Sequence, residues 1–162
     1  MHAQLSAWGF EVVDLGVARD TFDAVEAVMR QAAASADFIV TSGGVSVGEE
    51  DHVKGVVARL GALDLWKIAV KPGKPFAFGH VQGTPFIGLP GNPVSAFVTF
   101  CLFAMPHLRV MQGRRQPFPA PQRVRFPRAI ERPLQRREYL RVRLQQPADD
   151  LPVAQPFPRQ GS

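Results

Sequence analysis

Residues 37–48 read Asp37-Phe38-Ile39-Val40-Thr41-Ser42-Gly43-Gly44-Val45-Ser46-Val47-Gly48. A short apolar run that passes straight into paired glycines and hydroxyls predicts a buried strand over 37–41 and a loop after it. On the N-terminal side, Phe22, Val25, Val28, Met29, Ala32 and Ala33 recur at helical spacing after Asp20 and Thr21, either of which suits an N-cap. On the C-terminal side, Asp51 opens a second helix with Val53, Val56, Val57 and Leu60 as its apolar stripe, closed by Gly61. Helix, strand and helix in this order predict an α/β chain.

The reading extends in both directions. Residues 3–7 are predicted as the end of a helix stopped by Gly9, and 10–15 as a short strand. Further strands are predicted at 65–71, 76–81 and 85–89, with Gln82-Gly83 turning between the last two. Asn92 then caps a helix whose first residue is Pro93. The expected architecture is a three-layer α/β domain with a mainly parallel sheet over 1–113, followed by a small, incomplete β domain over 114–162. Such a domain normally opens with a strand whose loop helps form the ligand crevice. This one opens inside a helix and reads as lacking its first strand.

Charge and proline make the same division. Of 15 prolines, nine fall in residues 117–162, a segment that cannot propagate a helix. Residues 1–104 carry a net charge of −3, whereas residues 105–145 carry 11 arginines against Glu131 and Glu138, a balance of +9. Hydrophobic residues at 46% and charged residues at 20% exclude a disordered or fibrous chain. The longest nearly apolar run, 94–105, is shorter than the ~20 residues of a bilayer span, and residues 1–10 lack the pattern of a signal peptide. The single cysteine, Cys101, excludes an internal disulfide and a cysteine-rich zinc site, and in an apolar helix it reads as packing. A soluble, cytoplasmic protein with no membrane partner is the expectation.

Three loops at strand ends carry candidate chemistry. Thr41 to Gly48 offers glycine N–H groups and hydroxyls, including Ser42, Gly43, Gly44, Ser46 and Gly48. Such a loop is either a plain turn needing positive φ or an anion-binding nest. The second loop is Lys71-Pro72-Gly73-Lys74-Pro75. On the strand predicted before it, Lys67, Ala69 and Lys71 share one face, with the two lysines about 13 Å apart at strand rise. That face is either solvated or a positive surface for an extended ligand with several anionic groups. The third loop, Gly88-Leu89-Pro90-Gly91-Asn92-Pro93, is rigid and small, open to a ligand approaching a helix N-terminus or simply a capped connector. Asp20, Glu49, Glu50 and Asp51 sit among these loops as helix caps or as magnesium ligands for a phosphate. His2, His52, His80 and His107 have no metal-ligand spacing.

TSGGVSVGEEDH (41–52), WKIAVKPGKPFAFG (66–79) and GLPGNPVSA (88–96), in this order, resemble the third domain of the molybdopterin molybdenumtransferases, the MoeA family, represented also in gephyrin. Residues 1–113 carry the resemblance. Residues 114–162 are more loosely similar to the family's C-terminal β domain, through Tyr139-Leu140-Arg141-Val142 and Gln160-Gly161-Ser162. The resemblance implies insertion of molybdate into adenylylated molybdopterin, with release of AMP, Mg2+ as cofactor and a homodimeric enzyme. It implies Asp20 and Asp51 as acidic active-site residues and metal ligands, and Lys67 and Lys71 as basic ones. It makes Lys74, Gly91 and Asn92 part of the substrate loops, Pro90 and Pro93 shapers of the pocket, and Arg141 and Ser162 contributions of the C-terminal domain. The family's opening strand and glutamate-bearing loop, and its large N-terminal domains, have no counterpart here, so the chain reads as a fragment. The other readings are a molybdopterin adenylyltransferase-like domain and a non-catalytic pterin- or nucleotide-binding scaffold. Nucleic acid is not an expected partner, because arginines alternating along strands ordinarily form a solvated face.

Overall fold

The computed structural model describes residues 1–45, 52–127, 135–147 and 151–158. Helix α1 (His2–Ala7) ends at Gly9, whose φ of +83° turns the chain out of the helix. The strand predicted at 10–15 does not form. That stretch runs without a ladder, because its apolar side chains serve different layers: Phe10 packs with one core and Leu15 with the other. Helix α2 (Phe22–Ser35) follows, capped by Thr21, whose hydroxyl accepts from the Ala24 N–H at 3.4 Å.

Strand β1 (Ile39–Ser42), helix α3 (described over His52–Leu60) and strand β2 (Gly61–Trp66) come next. A two-residue strand β3 (Val70–Lys71), then β4 (Ala77–Val81) and β5 (Thr84–Leu89), complete the strands of this part. The main sheet has the order β1-β5-β4-β2. β1 and β5 pair in parallel, whereas β4 pairs antiparallel with both β5 and β2, so the sheet is mixed. The difference follows from the connections: β4 and β5 are joined by two residues, Gln82 and Gly83, both at positive φ, the geometry of a tight hairpin turn.

Alternation along β1 and β5 divides the core. Ile39 and Phe86 face α2 and α3, joining Val25, Met29, Val53, Val56 and Val57. Ile87 and Leu89 face the other way, with Phe76, Phe100, Ala104 and Leu108, and with Leu5 and Trp8 of the N-terminal segment. This is a three-layer α/β domain, as the sequence reading expects.

The second layer is one continuous helical rod built from α4 (Pro93–Thr99), a π-helical turn (Phe100–Ala104) and α5 (Met105–Met111). Pro106 removes one backbone donor, and the ladder widens just before it. At 19 residues with a mean hydropathy of 1.5, the rod is longer than the apolar run read from the sequence and meets the length and composition of a membrane-crossing helix. Here 44% of it is buried, with Phe100, Ala104, Met105 and Leu108 in the core. After it, β6 (Arg137–Glu138) pairs in parallel with β3, and β7 (Val142–Gln145) pairs antiparallel with β8 (Val153–Pro156).

Candidate functional site at the loop edge of the sheet

Register decides which loops meet. The last parallel pair is Ser42 with Leu89, and Ala77, the first residue of β4, lies opposite Gly88 and Trp66. The ends of β1, β5 and β2 and the start of β4 therefore share one edge, and all three loops of interest leave from it. Two of them touch: the Gly43 N–H donates to the Leu89 carbonyl at 3.0 Å, and a Cβ on Gly91 would stand 3.8 Å from the Gly43 Cα. Gly43 and Gly44 both hold positive φ, +88° and +69°. The turn reading of this loop is therefore met by the backbone itself.

The lysine loop is organised differently from its prediction. The strand expected over 65–71 is broken at Lys67, which adopts a left-handed φ of 70° and gives its N–H to the Phe76 carbonyl at 2.8 Å. Ile68 in turn donates to Lys74 at 3.1 Å, so residues 67–76 close on themselves. Lys67 and Lys71 consequently do not lie along one strand face, and the straight-line spacing predicted for them does not hold. Lys67, Lys71 and Lys74 remain exposed. The loop is seated on α4 through Gly73, where any Cβ would collide with the Thr99 methyl.

Asn92 acts as a cap. Its side-chain oxygen accepts from Val94 N–H at 3.0 Å and Ser95 N–H at 3.1 Å, and Pro93 fills the first helical turn. Two backbone donors at this helix end are thus already satisfied, as the cap read from the sequence requires, which leaves less of it open to a ligand. Pro90 is buried beneath the turn, while Gly91, Asn92 and Pro93 are exposed.

Helix α2 ends beside the β4–β5 turn, where Thr84 donates to the Ala33 carbonyl at 3.3 Å, and so begins toward the loop edge. Asp20, just before it, is exposed and, because Thr21 is the cap, is not used in capping. No three His, Cys, Asp or Glu side chains converge among the described residues. A lone exposed carboxylate nonetheless suits Mg2+, which is commonly held by one or two carboxylates and the phosphates of a substrate. Asp51, Ser46, Gly48 and Ser162 lie outside the described residues. Arg141 stacks over the Phe157 ring at 5.6 Å, and its carbonyl accepts from the Phe157 N–H at 3.1 Å.

Glu138 was not singled out by the sequence reading. Its carboxylate lies 3.0 Å from the Lys71 ammonium, while Arg137 N–H donates to Ala69 and Tyr139 N–H to Lys71. Nothing local to either segment signals this contact, because it depends on strand pairing between distant stretches. Cys101 behaves as expected of a packing residue: burial pushes its thiol upward from 9.0, and the charge of Arg109 only partly opposes this. A cavity of about 600 Å3 at the opposite edge has Asp37 as its one charged lining residue, which is unsuited to an anion.

Glycine turns and a lysine loop brought to one edge of an α/β sheet are the layout of the open α/β class, whose ligands bind outside the strand ends. Residues 1–110 match the family described as "Probable molybdopterin binding domain", and the chain belongs to that family, as its motifs anticipate. It is 50% identical over 106 residues to the molybdopterin molybdenumtransferase of Haemophilus influenzae, covering 65% of this chain and 26% of that protein. It is 41% identical over 107 residues to the molybdenum cofactor synthesis protein cinnamon of Drosophila melanogaster, covering 65% of this chain and 18% of that one. Among solved structures, the MoeA molybdopterin biosynthesis protein of Pyrococcus horikoshii superposes with a TM-score of 0.75 at 30% identity, covering 98% of this chain and 38% of its own. The chain thus spans about a quarter or less of these two sequence relatives.

Proposed function

We propose that this chain supplies the pterin- and nucleotide-binding edge of a molybdenum cofactor biosynthesis transferase, whose reaction inserts molybdate into adenylylated molybdopterin and releases AMP. The carrying observation is the meeting of the Gly43 and Gly91 turns on the same sheet edge as the lysine loop. In this reading Lys67, Lys71 and Lys74 neutralise the anionic groups of the substrate, while Pro90 and Pro93 keep the third loop rigid. Asp20 and Asp51 hold Mg2+. When bound, that ion screens phosphate charge and polarises phosphoryl oxygens. Ser42 and the backbone N–H of Gly44 are assigned to the ligand, the Gly43 N–H being taken by the Leu89 carbonyl, and Ser46, Gly48, Arg141 and Ser162 are proposed as further ligand contacts. The working enzyme is proposed as a homodimer.

Calorimetric titration of the chain with adenylylated molybdopterin, with and without Mg2+, tests this. Lys67→Met is expected to weaken binding tenfold or more, since a charge-assisted hydrogen bond contributes about 1.5–3 kcal/mol. Asp20→Asn is expected to remove the Mg2+ dependence without lowering the melting temperature, because Thr21 caps α2. Equal affinity in all three proteins would overturn the assignment.

A further inference from the structure

We propose that Glu138 is an internal competitor for the ligand anion at Lys71: its carboxylate holds that ammonium in the free chain and yields it when an anionic group binds. This rests on the reading of the loop edge as the anion-binding site, and adds the residue that sets its affinity.

Three observations carry it. Lys71 and Glu138 are register partners in the parallel β3–β6 ladder, so their side chains leave neighbouring backbones on the same side. The ion pair measures 3.0 Å, with the lysine side chain 61% exposed and the glutamate 25%. An incoming anion therefore has access to the ammonium from solvent. The backbone bonds that hold the strands together, Arg137 to Ala69 and Tyr139 to Lys71, involve neither side chain. The carboxylate can be exchanged for a ligand oxygen while the ladder stays in place.

Chemistry points the same way. A lysine ammonium is a mobile point charge on a flexible stem and changes partners readily, unlike an arginine locked in a bidentate fork. A carboxylate left beside bound phosphate repels it, so Glu138 lowers anion affinity at this loop and makes it sensitive to salt.

The experiment titrates the full chain with inorganic pyrophosphate at low and high ionic strength, in four forms: wild type, Glu138→Gln, Lys71→Met and the double variant. Glu138→Gln is expected to bind about threefold more tightly at low salt, the scale of a partly exposed ion pair. The gain is expected to vanish at high salt and to be absent in the Lys71→Met background, as a double-mutant cycle requires of coupled residues. Glu138→Asp, with its carboxylate set back by one methylene, is expected to fall between wild type and Glu138→Gln, and provides the same test should the glutamine variant fold poorly. Unchanged, weaker or undetectable pyrophosphate binding by Glu138→Gln overturns the proposal, and so does an equal gain without Lys71. A parallel titration with adenylylated molybdopterin separates the two ideas. Tight pterin binding with no effect of Glu138 on either ligand removes the competitor and leaves the functional reading standing, whereas a Glu138 effect on pyrophosphate in a chain that does not bind the pterin does the reverse.

Discussion

The α/β part and the C-terminal segment are held by different forces. Between Val25 and Leu108 lie two apolar clusters, one on each face of the sheet, with Phe86, Phe100 and Leu89 fully buried. Beyond Leu108, Pro152 and Ala154 are the buried residues among those described. What ties that segment down is backbone pairing, β3 with β6 and β7 with β8, together with the Lys71–Glu138 pair and a hydrogen bond from Arg109 to the Pro117 carbonyl at 2.9 Å. Burial is non-directional and grows with apolar area, while a short ladder adds little net stability in contact with water. One part therefore carries the stability, and the other is joined to its lysine loop through the β3–β6 ladder and the Lys71–Glu138 pair.

The sharpest way to break that contrast is to truncate one large side chain in each part. Phe100→Ala is expected to cost about 3–5 kcal/mol in denaturant unfolding, because it removes a fully buried ring. Leu144→Ala, at a position 49% exposed on β7, is expected to stay within about 0.5 kcal/mol. Similar losses at both sites would mean that the C-terminal segment shares a cooperative core with the sheet.

A smaller effect is expected at the junction of stability and site. Asn92→Ala removes the side-chain acceptor of Val94 and Ser95 N–H and should cost about 1 kcal/mol. Asn92→Asp keeps that acceptor and should restore most of the loss, a rescue readable in the melting temperature. Absence of rescue would show that the amide has another duty at the loop edge.

The smallest effect is a titration. The Cys101 thiol is raised above 9.0 chiefly by burial, so alkylation by iodoacetamide should be slow at neutral pH and accelerate only in strongly alkaline solution. In linkage terms the folded chain keeps this proton where the unfolded chain has lost it. The stability contributed is therefore full below 9.0 and is lost as pH rises from there through the folded value. Arg109→Ala should raise the thiol further and slow alkylation again. Faster alkylation in that variant would show that Arg109 shields Cys101 sterically instead of lowering its pKa.

Much of the α/β part was legible because its signals are local. Helical spacing at Val25, Met29 and Ala32 and at Val53, Val56 and Val57 marked the buried faces of α2 and α3, and Gln82-Gly83 marked the hairpin. The strand misread at 10–15 has apolar residues without a partner strand, and composition cannot supply a partner. The strand misread at 65–71 failed at Lys67, whose left-handed backbone is imposed by hydrogen bonding across to Phe76. The loop motifs were visible as glycines, prolines and lysines, but their convergence was not.

The sequence by itself determined where helices and turns form, which faces they bury, and which family the chain joins, since these depend on neighbours a few residues apart. Tertiary structure alone decided that β2 joins the sheet antiparallel to β4, that the Gly43 and Gly91 turns meet, and that Glu138 meets Lys71. Those outcomes rest on strand register and loop closure between distant segments. A difference of one residue in register would carry each side chain to the opposite face of the sheet.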